Sequence, residues 1–167
     1  MTQTSIEAAQ KKFGALLEEQ LKRVEQMKKG GPFVDYAKLS PIVVGICWGD
    51  GIGEFISRNA QDVLAHVLKD EVKKGKIAFR EIKGLTIENR VKHNKAIPDD
   101  ILEELEACHV ILKGPTTTPQ VGDPWPNIES ANVAMRRALD LFANVRPVKI
   151  PREGVDWCFF RENKGAQ

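Results

Sequence analysis

Hydrophobic residues in the first third of the chain predict one amphipathic helix followed by one buried strand. Between residues 5 and 29, apolar side chains recur every three or four positions from Ile6 to Met27. A Gly-Gly-Pro triplet at 30–32 is expected to end this helix. The unbroken apolar run PIVVGICW at 41–48 is typical of a strand buried on both faces, as in a parallel sheet.

Helical and strand-like periods then alternate to the end of the sequence. We expect a helix of about 20 residues from Phe55, and its core stripe comprises Ile56, Ala60, Val63, Val67 and Val72. The later elements are a strand at 76–82, a helix at 97–108, a strand at 109–114, a loop at 115–127, a helix at 128–142 and strands at 144–150 and 156–160. The core stripe of the fourth predicted helix comprises Ile128, Ala131, Met135, Ala138 and Phe142. This order predicts an α/β fold, a mostly parallel sheet with flanking helices. A helical extension at 1–40 precedes a domain at 41–167.

Composition and charge exclude several classes of partner. The 167 residues are 42% hydrophobic, and 25 basic against 23 acidic side chains leave a formal charge of +2. So small an imbalance favours neither a nucleic acid nor a membrane surface as partner. With no long apolar run and no signal-peptide pattern, we expect a cytoplasmic protein. The three cysteines lack zinc-site spacing, and Cys47 and Cys158, within apolar runs, are expected to be buried free thiols.

A glycine-rich loop follows the first strand. GDGIG at 49–53 has the position of a dinucleotide-binding loop, but its spacing is not G-x-G-x-x-G and Lys69 occupies the place expected for an acidic residue. We therefore favour a tight strand-to-helix turn whose glycines permit close approach of a ligand. A phosphate or nucleotide site at this loop remains an alternative.

Arginines near the last predicted helix suggest an anion site. Asn132 and Arg136 share one helix face, and Ser130 lies in the first turn, where free N–H groups favour an anion. Arg146 and Arg161 come from the two following strand regions. Guanidinium groups capture carboxylates in bidentate fashion, so a ligand with two or three carboxylates would explain the set. The alternative is that these arginines pair with the local acids Glu129, Asp140 and Glu162.

Four segments in order resemble the isocitrate and isopropylmalate dehydrogenase family of β-decarboxylating oxidoreductases. They are 49–53, then LKGP at 112–115 with TTP at 117–119, then the run from Ser130 to Pro147, and FREN at 160–163. The Ser-x-Asn-x-x-x-Arg pattern at 130–136 is similar to the isocitrate branch, and the chain resembles the N-terminal part of that fold.

This resemblance implies roles for individual residues. Those that would bind the carboxylates of isocitrate are Thr118, Ser130, Asn132, Arg136, Arg146 and Arg161. Those that would contact the NAD or NADP cofactor are Ile52, Thr116, Thr117 and Asn144. The implied reaction is hydride transfer from C2 of isocitrate, followed by decarboxylation to 2-oxoglutarate assisted by Mg²⁺ or Mn²⁺. Arg137 and Lys149 are expected to be surface charges.

The sequence also departs from the family pattern. Glu54 stands where the family turn usually has Pro, and the family is about twice as long, with a catalytic Tyr, a Lys from the partner subunit and metal-binding aspartates further along. These groups do not occur in the 167 residues, whose sole tyrosine is Tyr36. We therefore expect the chain alone to be inactive and the metal ligands to lie in a missing C-terminal half. A homo-oligomer, or a partner supplying that half, is implied.

Two alternatives stay open. One is a non-catalytic tricarboxylate-binding or regulatory subunit, and the other is a related 2-hydroxy-acid substrate such as 3-isopropylmalate.

Overall fold

The computed structural model describes residues 3–29 and 34–162, and its backbone divides into two compact units at Lys38. The first unit contains helix α1 (Gln3–Lys29), as predicted, and a 3-10 turn at Tyr36–Lys38. The predicted Gly-Gly-Pro end of α1 lies outside the described residues. The predicted division into two domains, at 1–40 and 41–167, stays a prediction.

The second unit contains five strands and five helices among its described residues. The strands are β1 (Ile42–Cys47), β2 (Ile77–Ile82), β3 (Val110–Lys113), β4 (Ala143–Ile150) and β5 (Val155–Glu162). The helices are α2 (Ile52–Val67), α3 (Lys69–Lys73), α4 (Ile87–His93), α5 (Asp99–Glu106) and α6 (Ala131–Ala138). Within 3–29 and 34–162, no helix combines the length and the apolar character needed to cross a membrane.

The predicted α/β fold class is confirmed. Strands β2, β1 and β3 lie side by side in that order, and both pairings are parallel, with Ile42 opposite Ile77 and Val44 opposite Val110. Helices connect the strands, as parallel neighbours require. The strands β4 and β5 form a separate antiparallel ribbon, which the sequence predicted only as two strands.

The core lies where α5 and α6 meet the sheet. It comprises Cys47, Ile82, Leu85, Ile97, Ile101, Leu105, Ala131 and Met135. Alternation along β1 places Ile46 on the opposite face from Cys47, and both are fully buried. The continuous apolar run in β1 is explained by this burial on two faces.

Helix α4 is absent from the sequence prediction, although its ends carry recognisable signals. The Thr86 hydroxyl caps the first turn by accepting from the N–H of Asn89. Asn94 ends the helix in the left-handed region, at a φ of 49°. Both residue types are common at these positions. The helix was missed because its seven residues include only two apolar side chains, Ile87 and Val91.

The predicted core stripe of α2 is wrong. Val63 and Val67 are 62% and 66% exposed, and Ile56 is also exposed. Val72 lies beyond α2, in α3, and is exposed too. The buried residues of α2 are the small Gly53 and Ser57. Small side chains face inward because the helix passes close to the backbone of the loop that follows β3, as described below.

The last helix is shorter than predicted. It begins at Ala131 rather than 128 and ends at Ala138, where Asp140 turns into the left-handed region at a φ of 51°. The N–H of Leu141 donates back to the carbonyl of Arg136, which closes the helix. Phe142 therefore lies outside the helix and is 67% exposed, and Ala138 is exposed too.

The exposed ribbon explains a further correction. Cys158 was expected to be buried, but it lies on β5 and is exposed, whereas Cys47 is buried. Arg161 was expected to follow this strand and instead lies within it.

Candidate functional site

The glycine loop packs against the loop after β3, at the carboxyl ends of the parallel strands. A Cβ added at Gly49 would lie 1.8 Å from the carbonyl oxygen of Pro115, and one at Gly53 would lie 2.5 Å from it. On the facing loop, a Cβ at Gly114 would lie 2.2 Å from the carbonyl oxygen of Trp48. Gly49, Gly53 and Gly114 therefore allow the two loops to pack closely. The space beside Gly51 is open. Within the motif only Gly51 leaves room for the predicted close approach of a ligand, which stays a prediction.

Asp50 fastens the threonine loop to the glycine loop. Its Oδ1 accepts from both the N–H and the hydroxyl of Thr117, each at 2.6 Å, and its Oδ2 accepts from the N–H of Ile87 at 2.8 Å. Asp50 belongs to the glycine motif, but no local pattern in the sequence predicts these long-range bonds. One carboxylate thus joins three segments that are far apart in the chain.

Lys113 is a second polar residue to which the sequence analysis gave no role. Its ammonium donates to the carbonyl of Gly114 at 2.7 Å and to the hydroxyl of Thr116 at 3.1 Å. Burial lowers the pKa of Lys113, and interactions with Cys47 and Asp50 oppose this shift. The hydroxyls of Thr116 and Thr117 therefore already have partners, whereas Thr118 is exposed.

An open groove of about 700 Å³ runs between β3 and α6. Its polar lining is of mixed charge and comprises Glu106, His109, Lys113, Asn132, Arg136 and Asp140. Apolar side chains form much of the remainder, namely Leu105, Ile111, Met135, Leu139 and Leu141. Two of the predicted substrate residues, Asn132 and Arg136, therefore line one cavity, as their four-residue spacing predicted.

The neighbouring arginines of α6 differ in their partners. Arg137 donates two hydrogen bonds to the carboxylate of Glu129 on the surface. Arg136 makes no side-chain hydrogen bond or ion pair with any residue in 3–29 or 34–162. The alternative of pairing with local acids thus holds for Arg137, the expected surface charge, but not for Arg136. Lys149 is likewise paired on the surface, with Asp156.

Ser130 occupies the N-cap position of α6, and its side chain makes no capping hydrogen bond. Its carbonyl accepts from Val133 and Ala134, which begins the helix. The hydroxyl therefore lies at the positive end of the helix without serving the cap. Ile52, a predicted cofactor contact, begins α2 and is exposed beside the open space at Gly51.

The remaining predicted residues lie on the ribbon. Asn144 on β4 lies directly opposite Arg161 on β5. Arg146 lies two positions beyond Asn144 on β4, so all three side chains share one face of the ribbon. The Nε of Arg146 donates to Oδ1 of Asn144 at 2.9 Å. Within the part of the chain that the structure describes, the groove lining includes neither Arg146 nor Arg161. Their predicted convergence with Arg136 on one ligand stays a prediction.

The described residues do not fit a bound divalent metal by themselves. Among 3–29 and 34–162 there is no group of three or more His, Cys, Asp or Glu side chains placed to hold a metal ion.

Comparison with known proteins identifies the family. The sequence profile described as isocitrate/isopropylmalate dehydrogenase matches residues 43–166. The chain belongs to this family, and its N-terminal position within it, inferred from the sequence motifs, is confirmed.

Relatives agree with this assignment. The chain is 37% identical over 131 residues to an isocitrate dehydrogenase (NADP) of Caldococcus noboribetus, covering 73% of this chain and 29% of the relative. It is 31% identical over 102 residues to a 3-isopropylmalate dehydrogenase of Staphylococcus saprophyticus, covering 61% of this chain and 29% of the relative. Among solved structures, a beta-decarboxylating dehydrogenase from Thermococcus kodakarensis, in its apo form, matches with a TM-score of 0.58 and 30% identity. That match covers 73% of this chain and 34% of the other.

Proposed function

We propose that the body of this chain, residues 39–162, supplies part of the tricarboxylate-binding site of an NADP-dependent isocitrate dehydrogenase. The observation that carries the proposal is the contrast between Arg136 and Arg137. Arg136 lines the groove and has no side-chain hydrogen bond or ion pair within residues 3–29 and 34–162, whereas the adjacent Arg137 is paired with Glu129 on the surface. Since neither Glu106 nor Asp140 of the described groove lining is bonded to it, the Arg136 guanidinium is available to a ligand carboxylate.

The groove can bind more than one carboxylate. Arg136 can hold one in bidentate fashion, and the amide of Asn132, one helical turn away, can donate to the same group. The Lys113 ammonium adds positive charge at the end of the groove near the threonine loop. Ser130 and Thr118 are further donors proposed for the ligand. We also propose that Arg146 and Arg161 approach it from the ribbon.

The cofactor is proposed to lie at the junction of the two loops. Open space at Gly51, the exposed side chain of Ile52 and the Thr116–Thr117 pair support a nicotinamide bound there, and Asn144 is proposed as a further contact. A bound NADP supplies the hydride acceptor for oxidation at C2 of the substrate. The residues of this chain orient substrate and cofactor, which is the positioning contribution to catalysis.

The proposal assigns binding to this chain and oxidative decarboxylation to a whole dehydrogenase, since the chain spans 29% of the length of its Caldococcus relative. The relative from Staphylococcus saprophyticus suggests 3-isopropylmalate as the second candidate ligand. Partly exposed apolar groove residues such as Ile111 and Leu139 favour it, because they could pack against an isopropyl group. The number of carboxylates preferred by the groove distinguishes the two ligands.

Calorimetric titration of the purified chain with isocitrate tests the proposal. Arg136→Ala should weaken binding by roughly 10- to 150-fold, because a hydrogen bond to a charged group contributes about 1.5–3 kcal/mol. Arg137→Ala is the matched control, since it removes the same charge one residue away, and it should change the affinity by less than about twofold.

If the wild type and Arg136→Ala bound isocitrate with equal affinity, the groove would not be part of the binding site. If 3-isopropylmalate bound more tightly than isocitrate, it would become the proposed ligand, and the groove would remain the proposed site. Binding of isocitrate without NADP reduction by any assembled form would favour the non-catalytic subunit.

A further inference from the structure

Arg90 is a fully buried charged residue that has no role in the proposed function. It lies in α4 and is 0% exposed, although arginine is almost never fully buried unless it is paired. Its guanidinium donates three hydrogen bonds, all to backbone carbonyls. Nε reaches Ala96 at 2.9 Å, Nη1 reaches Thr117 at 2.6 Å and Nη2 reaches Glu129 at 2.8 Å.

Two of these carbonyls belong to segments with proposed substrate residues. Thr117 immediately precedes Thr118, and Glu129 immediately precedes Ser130. The two segments lie 27 and 39 residues from Arg90 along the chain. A single rigid side chain therefore sets the distance between the threonine loop and the beginning of α6.

Thr117 is held from two directions. Asp50 accepts from its N–H and its hydroxyl, and Arg90 donates to its carbonyl. With both sides of this residue hydrogen-bonded, the backbone that carries Thr118 has little freedom to rotate. Burial lowers the pKa of Arg90, and the charge of Asp50 opposes that shift, so Asp50 favours the charged guanidinium.

We propose that Arg90 is a positioning residue that fixes Thr118 and Ser130 relative to each other for an anionic ligand in the adjacent site. The identity of that ligand rests on the proposed function, but the fixing of the two segments does not. Arginine is required because its planar fork directs several donors at fixed angles, whereas lysine has one rotating ammonium. Arg90 need not contact the ligand.

The experiment combines isocitrate titration with hydrogen–deuterium exchange on the 167-residue chain. Arg90→Lys keeps the charge and removes the fork, and Arg137→Lys is the matched control, because Arg137 contacts the Glu129 carboxylate instead of its carbonyl. Arg90→Lys should weaken isocitrate binding by about tenfold or more, and should speed amide exchange around Thr117 and at the start of α6. The control should change neither measurement by more than about twofold.

A rescue measurement separates positioning from general damage to the fold. Arg90→Ala leaves a cavity that can accept free guanidinium, which should restore isocitrate affinity to within about threefold of wild type at roughly 50 mM, whereas sodium chloride at the same concentration should not. Unchanged affinity in Arg90→Lys, in a wild type that binds isocitrate, would overturn the inference and leave the proposed function intact.

Exchange in the wild type tests whether the threonine loop is held in place, even if neither variant folds or no isocitrate binds. The Thr117 amide should exchange far more slowly than the amide of Gly122, which lies in an exposed turn. Equal exchange of the two amides would show that the threonine loop is not held, and would overturn the inference.

Discussion

Gly49→Ala should lower the free energy of unfolding far more than the replacement of a glycine with a positive φ ordinarily does. Gly49 has a φ of 78°, and its added Cβ would lie 1.8 Å from the carbonyl oxygen of Pro115, well inside van der Waals contact. The loop after β3 would have to move away. That movement would also break the bond from the N–H of Asp50 to the same carbonyl, at 3.2 Å.

Three contributions set the magnitude. The positive φ costs about 1–2 kcal/mol for any residue with a Cβ. Displacing the packed carbonyl costs about 1–3 kcal/mol, and the lost hydrogen bond costs about 0.5–1.5 kcal/mol. We expect a total loss of roughly 3–6 kcal/mol in the free energy of unfolding, a large part of the ~5–15 kcal/mol of a typical protein.

Gly75 provides the matched control. It also has a positive φ, 70°, and nothing lies within 4 Å of the position of its added Cβ. Gly75→Ala should therefore cost only about 1–2 kcal/mol. Urea unfolding followed by circular dichroism measures both values. Equal losses in the two variants would refute the claim that the glycine motif serves loop packing.

Two further predictions concern the partly buried carboxylate of Asp50 and the thiols of Cys47 and Cys158. Asp50→Asn should lower the free energy of unfolding by about 1.5–3 kcal/mol, because an amide cannot accept from both Thr117 and Ile87 through two oxygens; an unchanged urea midpoint would contradict this. Cys158 should be alkylated much faster than Cys47 at about pH 8, since Cys47 is buried and burial raises its pKa above the ordinary value of a thiol, so little of its thiolate forms. Mass spectrometry of the labelled peptides checks the order, and similar rates for the two thiols would count against it.

The strands and their parallel arrangement were predictable because they depend on local pattern. The apolar run of β1 is buried on both faces, and alternating helices and strands leave few alternatives to a parallel sheet. The pairing of Asn132 with Arg136 on one groove wall was predictable for the same reason, since a four-residue spacing in a helix is a local property.

The buried face of α2 could not be predicted in this way. Its most apolar residues, such as Val63 and Val67, are exposed, whereas Gly53 and Ser57 are buried. The face is selected by how closely Gly114 and Pro115 approach, and that approach depends on a loop about 60 residues further along the chain. Hydrophobic periodicity carries no information about such contacts.

By itself, the sequence predicted the class of fold, the order of its strands and a set of candidate anion-binding residues, because periodicity, helix spacing and side-chain chemistry are local properties. Only the tertiary structure decided that, within residues 3–29 and 34–162, Arg137 has a side-chain partner and Arg136 has none, since the pairing of Arg137 with Glu129 depends on how the chain enters α6. It also decided that Asp50 and Arg90 hold Thr117 from two directions, through hydrogen bonds spanning 67 and 27 residues. Such bonds join groups that are adjacent only after folding, so no local pattern records them.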